Sequence, residues 1–286
     1  MRKPSITSSS TRSALETAIL VIITALLSAC YHIPSDSESA SVDSIVVEGS
    51  QSQQVYPQSL EFPEPIEGED IRIYAGYTSS YNHSTLVPNW VAYELTAAEV
   101  EGEYSFKPSF SRDPNMEGSQ ASREDYSNSG WDKGHMAPRA DMKWSEESLA
   151  ESYYFTNVCP QNHEMNAYDW CSIEKLARRM ATEHGSVYVV CGPVFTTHEY
   201  GTIGGNQVNV PDAFFKALLM KVDGTYQSIA FLVPNRPDRH PIHEYACTVN
   251  DIESLLGINL FYNLDDSVEE DIESTADMQT WDITTK

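Results

Sequence analysis

The chain has 286 residues, with 42 Asp and Glu against 18 Lys and Arg and a formal net charge of −24 at pH 7. That length accommodates one enzyme-sized domain plus tails. The charge excludes a protein that gathers polyanions by long-range attraction.

Arg2, Lys3 and Arg12 precede an apolar run at residues 18–29. As a helix the run would rise only about 18 Å, short of the roughly 30 Å hydrocarbon core of a bilayer. It therefore reads as a signal peptide over residues 1–29. Leu27, Ser28, Ala29 and Cys30 resemble a bacterial lipoprotein cleavage box. That resemblance implies lipidation of Cys30 and an exported, membrane-anchored chain in the bacterial cell envelope, facing the periplasm or the cell surface. A plain secretory signal with an incidental cysteine is the other reading. Residues 30–68 are rich in Ser, Glu, Gln and Pro and hold seven acids with no Lys or Arg. Such a composition cannot bury enough apolar surface to offset its ordering entropy, so a flexible tether is expected.

The folded domain is expected over residues 69–265. Aromatic and β-branched residues predict strands at 71–78 and 90–96. Residues 97–130, with Pro108, Pro114 and many serines, read as loop, and a strand is expected at 153–158. Over 167–184, Trp170, Ile173, Leu176, Ala177 and Met180 recur at three- and four-residue spacing and Gly185 supplies a stop, which predicts a helix. The continuous apolar run at 186–195 is a buried strand. Residues 214–222 and 226–234 flank Asp223 and Gly224 as a hairpin. A short helix at 250–256 closes the domain. The seven acids and one lysine of 266–286 carry no apolar stripe and are expected to form a disordered acidic tail. The result is an α+β fold, a central antiparallel β-sheet flanked by helices.

Residues 131–141 set His135 among Asp132, Lys133, Gly134 and Arg139. A neutral imidazole with an ordinary pKa of about 6.5 can take a proton near physiological pH. Lys133 and Arg139 supply the cations an anionic substrate needs, and Gly134 permits close approach. Asn166 and Glu174 lie eight positions apart, and at about 100° per residue they return to within about 80° on a helical wheel. Taken alone, Asn166 reads equally as a helix N-cap and Glu174 as a solvated helix acid.

Together these segments resemble the DNA/RNA non-specific endonucleases, a family of ββα-metal (His-Me finger) nucleases. The family's Asp-Arg-Gly-His signature stands here as Asp132, Lys133, Gly134 and His135, followed by Ala137, Pro138, Ala140 and Asp141. Its second block stands as Asn157, Pro160, Gln161, Asn166, Trp170 and Glu174. Segments at 88–96, 187–195, 210–219 and 231–235 extend the likeness across residues 70–262. The resemblance implies a ββα-metal finger active site and metal-dependent hydrolysis of phosphodiester bonds in DNA, RNA or both. His135 would be the general base. Asn166 would hold Mg²⁺, with Mn²⁺ or another divalent cation as the other choices, and Glu174 would hold the ion's waters. Lys133 and Arg139 would contact phosphate, with Asp132 and Asn157 in support. Lys133 replaces the family's usual arginine, which keeps the charge and gives up a planar bidentate donor. Lys107 and Arg112 lie where the family tends to keep a phosphate-contacting arginine.

Two rival expectations stand beside this one: a phosphodiesterase for another substrate, and a catalytically silent nucleic-acid-binding lipoprotein. Residues 69–265 hold 14 Lys and Arg against 27 Asp and Glu, while residues 133–179 hold six cations against seven acids. Substrate binding is therefore expected to be weak, salt-sensitive and reliant on metal. Besides Cys30, an oxidising compartment permits two disulfides among Cys159, Cys171, Cys191 and Cys247, in any of three pairings. His240 and His243 lack a Cys pair at zinc-finger spacing, so structural zinc is not expected. DNA or RNA preference and oligomeric state are not set by the sequence.

Overall fold

The computed structural model describes residues 58–283. The signal peptide, Cys30 and the tether as far as residue 57 lie outside the described residues.

In chain order the elements begin with strands β1 (Asp70–Ile73), β2 (Thr78–Asn82) and β3 (Val87–Thr96) and the short helices α1 (Ala97–Val100) and α2 (Arg123–Tyr126). Next come β4 (Asp132–His135), helix α3 (Glu146–Glu151) and β5 (Val158–Gln161). A wide π turn (Met165–Trp170) leads into the long helix α4 (Cys171–His184) and β6 (Ser186–Val194). After β7 (Thr202–Ile203) and β8 (Val208–Asn209), β9 (Ala213–Val222) and β10 (Thr225–Pro234) form a hairpin. Strand β11 (Ala246–Cys247) and helices α5 (Val249–Leu256) and α6 (Asp266–Glu273) complete the set.

Seven strands make one antiparallel sheet in the order β1-β2-β3-β6-β9-β10-β11, and β4-β5 is a separate two-stranded ribbon. The expected α+β architecture with a central antiparallel sheet is present. Asp223 (φ 49°) and Gly224 (φ 88°) both take positive φ, the turn a tight hairpin demands, and Thr225 pairs with Val222 immediately after it.

Strand alternation decides which layer each side chain enters. Val91, Tyr93, Val189, Phe214 and Leu218 share a buried cluster with Trp170, Ile173 and Ala177 of the long helix. Their neighbours Trp90, Val190, Phe215, Ala217, Leu219 and Ala230 are equally buried and point the other way. On that far side Phe62 meets Trp90 edge-on, ring centres 6.4 Å apart. Both faces are therefore covered, and the catalytic candidates lie on the α4 side.

The structure corrects several sequence expectations. Residues 58–68, expected to belong to the tether, are part of the fold: Phe62 is only 4 % exposed and Glu64 donates its backbone N–H to the Asn259 carbonyl at 2.7 Å. The C-terminal tail is not disordered throughout. It forms α6, and beyond it Trp281 is fully buried while Asp282 pairs with Arg179 at 2.9 Å. Trp281 and Ile283 supply that burial, two apolar residues too few to make a stripe, which is why a stripe search misses them. The strand expected at 153–158 is a 3₁₀ turn (Phe155–Asn157) followed by β5. The loop at 97–130 contains α1 and α2, each opened by a capping box, Thr96 with Glu99 and Ser122 with Asp125. The predicted strand 71–78 breaks into β1 and β2. At the break a Cβ on Gly76 would sit 2.2 Å from Ser148 Oγ. Cys159, Cys171, Cys191 and Cys247, among which the sequence permits two disulfides, are free thiols, with Cys159 and Cys191 buried.

Candidate active site

The ribbon forms because Gly134 lets two strands close over a buried amide. A Cβ at Gly134 would stand 1.8 Å from Gln161 Oε1, and Gln161 is fully buried with neither side-chain amide atom hydrogen-bonded. His135 ends β4, opposite Val158 of β5. Its ring lies against Phe110 (5.1 Å) and edge-on to Tyr153 (5.0 Å). Nε2 is covered and has no hydrogen-bond partner, although the residue as a whole is partly exposed. Burial, helped by the nearby positive charge of Arg139, pushes the imidazole pKa down to about 4. At neutral pH the ring is thus uncharged and able to accept a proton. Lys133 shares the Phe110 face, its Nζ 5.7 Å from that ring and 5.5 Å from Tyr126.

The helix that faces β4 is opened by Asn162, whose Oδ1 accepts from the backbone of Glu164 (3.0 Å) and Met165 (3.4 Å). Asn162, not Asn166, is the cap, so the helical run starts upstream of the predicted residue 167. Asn166 sits in the π turn, a local widening of the helix that recurs at functional sites. Its Nδ2 donates to Asp132 Oδ2 at 3.1 Å, which leaves the amide oxygen as the other end of the group. The same Asp132 oxygen pairs with His163 Nδ1 at 2.8 Å, and this raises the His163 pKa. One turn on, Trp170 Nε1 donates to the His135 carbonyl at 3.2 Å. Both ends of β4 are therefore tied to the same helical turns, Asp132 through Asn166 and His135 through Trp170.

Glu174, half-buried, belongs to a charge cluster with Asp141, Arg178 and Lys216. Burial pushes its pKa up to about 7, against the pull of Lys216. Lys216 is fully buried, lies 4.5 Å from the centre of the Trp170 ring, and donates to the Met136 carbonyl at 3.3 Å. Asp141, also fully buried, pairs with Arg178 and accepts from Tyr93 Oη at 2.9 Å. Each of these two acids has a cation in reach, Lys216 for Glu174 and Arg178 for Asp141.

The remaining predicted residues divide by what their side chains already hold. Asn157 is buried with its amide spent on the Ala137 N–H and carbonyl (2.8 Å each) and the Ser152 carbonyl (2.9 Å), so it clamps the loop that follows His135. Arg139 Nη2 donates to the carbonyls of Ser105 (2.9 Å) and Phe106 (3.1 Å), which fixes its charge near His135. Lys107 is exposed, and Arg112 donates to the Ala121 carbonyl at 3.4 Å. Sequence reasoning missed Phe110, Tyr153, Lys216 and Arg178. Only Lys216 carried a signal, a cation in the middle of an apolar run of strand β9.

A two-stranded ribbon ending in a neutral histidine, crossed by a helix that offers an amide oxygen, defines this protein as one of the ββα-metal class. Residues 58–267 match the DNA/RNA non-specific endonuclease family. The chain is 35 % identical over 221 residues to the mitochondrial nuclease EXOG of Xenopus laevis, covering 72 % of this chain and 62 % of that protein. It is 30 % identical to Nuclease C1 of Cunninghamella echinulata var. echinulata over 74 % of this chain and 91 % of that one. A solved structure of the EndoG/EndoGI complex superposes with a TM-score of 0.65 at 27 % identity, covering 68 % of this chain and 87 % of that one. The chain thus spans less than two thirds of the length of the Xenopus relative. It belongs to the DNA/RNA non-specific endonuclease family.

Proposed function

We propose that this protein is a sequence-non-specific endonuclease that uses a divalent cation to hydrolyse phosphodiester bonds of DNA, RNA or both. The observation that carries the reading is the Asp132–Asn166 hydrogen bond, which fixes an amide oxygen beside the strand that ends in His135. The donor set suits a hard cation: a neutral oxygen from Asn166 and a neighbouring carboxylate in Asp132. Mg²⁺ is the first choice and Mn²⁺ the second. When bound, such an ion offsets charge at the phosphate and at the departing oxygen.

The protein's own groups supply the rest. His135, neutral above about pH 4, takes the proton of the attacking water. Covered Nε2 assigns that task to Nδ1. Attack in line expels the 3′ oxygen and leaves a 5′ phosphate. Lys133, held over two aromatic faces, meets a phosphate oxygen, and Arg139 adds positive charge beside the imidazole. Glu174 would serve as an outer partner of the kind that tunes metal sites. Digestion of supercoiled plasmid and of single-stranded RNA by the full chain, with Mg²⁺ and with chelator, tests the reading beside His135→Ala and Asn166→Ala. Equal digestion by either variant sinks it.

The acidity of residues 69–265 favours a second reading, a phosphodiesterase for short substrates. Faster turnover of a small aryl diester than of plasmid would select it. Residues 1–30 support export and lipid anchoring in a bacterial envelope. Incorporation of labelled fatty acid that survives Cys30→Ala rejects the anchor.

A further inference from the structure

We propose that Glu253, Glu269 and Glu273, together with the amide oxygen of Asn259, form a second cation site of calcium chemistry that fastens α6 to α5. One oxygen from each of the three carboxylates lies within 4.8 Å of the others. Oxygens bound at roughly 2.4 Å around one ion are at most about 4.8 Å apart, so the spread suits an ion of that size.

Two buried oxygens on residues of this cluster have no partner. Glu273 is only 2 % exposed, and its Oε1 has no hydrogen bond. Asn259 Oδ1 is likewise buried and unpartnered, while its Nδ2 donates to Glu269. Glu253 Oε1 accepts from the Leu260 backbone at 2.8 Å, which holds the α5 end of the cluster in place. None of the ion pairs among the described residues involves these acids. The charges that bear on Glu273 are Glu253 and Glu269, and those on Glu269 are Asp266 and Glu64, all acidic.

Buried like charges without a counter-charge must either take up protons or take up a cation. The donors are all oxygen, three of them anionic, with no nitrogen or sulfur. That selects a hard ion, and the number of acids favours Ca²⁺, which takes six to eight oxygens, over Mg²⁺, which keeps its waters. The position gives the ion a structural task. Ser228 Oγ donates to the Ile272 carbonyl at 3.0 Å, so α6 rests on β10, and the ion would lock its next turn to α5. This site is independent of Asn166 and stands or falls apart from the nuclease reading.

The test is the melting temperature of the full chain, chelator-treated and then titrated with Ca²⁺ or with Mg²⁺. Ca²⁺ at a hundredfold excess over Kd should raise it by roughly 5–10 °C. Asn166→Ala should keep that shift. Glu269→Gln/Glu273→Gln, which removes two of the three carboxylate charges, should show no shift. If that variant does not fold, Glu253→Gln takes its place and must lose the shift. No Ca²⁺ shift in the parent, an equal shift with Mg²⁺, a shift that survives in the Gln variants, or one lost in Asn166→Ala overturns the proposal.

Discussion

Asp132 Oδ2 accepts from Asn166 Nδ2 at 3.1 Å across 34 positions of sequence, and this contact sets which end of the amide is offered to a ligand. Asp132→Ala frees the amide to rotate. The variant should need about 10- to 100-fold more divalent cation for half-maximal rate, with the maximal rate less affected. A titration of activity against Mg²⁺ checks it, and an unmoved midpoint removes the orienting role.

His135→Ala should lower the cleavage rate by roughly 10²- to 10⁴-fold with the circular dichroism spectrum unchanged. Because its pKa is depressed to about 4, the acid limb of the rate profile that His135 controls should fall near pH 4 and not near 6.5. The sign for stability follows from the same depression. Between about 4 and the unfolded value the unfolded chain binds more protons, so stability drops as pH falls through that window. Urea melts across it should show a shallower pH slope in the alanine variant.

Glu174 has the opposite shift, up to about 7, so its carboxylate is present above that pH and lost below it. At low Mg²⁺ the rate should therefore rise through pH 7. Raising Mg²⁺ favours the charged form and should move that midpoint to lower pH. Glu174→Gln should erase the limb and its metal dependence. Rate profiles at two Mg²⁺ concentrations measure this; identical midpoints in the parent would count against Glu174 as an outer partner of the ion.

Gly134→Ala drives a methyl group into the buried amide of Gln161. Overpacking of this kind costs about 1–3 kcal/mol and should also displace His135 one residue on. Gln161→Ser in the same chain removes the obstacle and should restore part of both stability and activity.

Trp281→Ala should cost about 3–5 kcal/mol, the range for a large aromatic lost from a core. A chain ended after Asp265 should melt at least as early. Denaturant titration that finds either protein as stable as the parent would mean this segment adds little to the core.

Some of this protein was legible in its residues alone because the relevant physics acts within a few positions. Asp223 and Gly224 bend where only a positive-φ pair can, Gly185 at φ 98° ends the helix, and the stripe from Trp170 to Met180 buries one face. The types and order of Asp132, His135, Asn166 and Glu174 marked a site before any contact was known. Tertiary structure alone placed Phe110 and Tyr153 around the imidazole, set Lys216 beneath Trp170, and brought Trp281 into the core. The pKa values near 4 for His135 and near 7 for Glu174 belong to that second group. They depend on how many atoms from distant parts of the chain displace water around each group, and desolvation leaves no mark in local sequence.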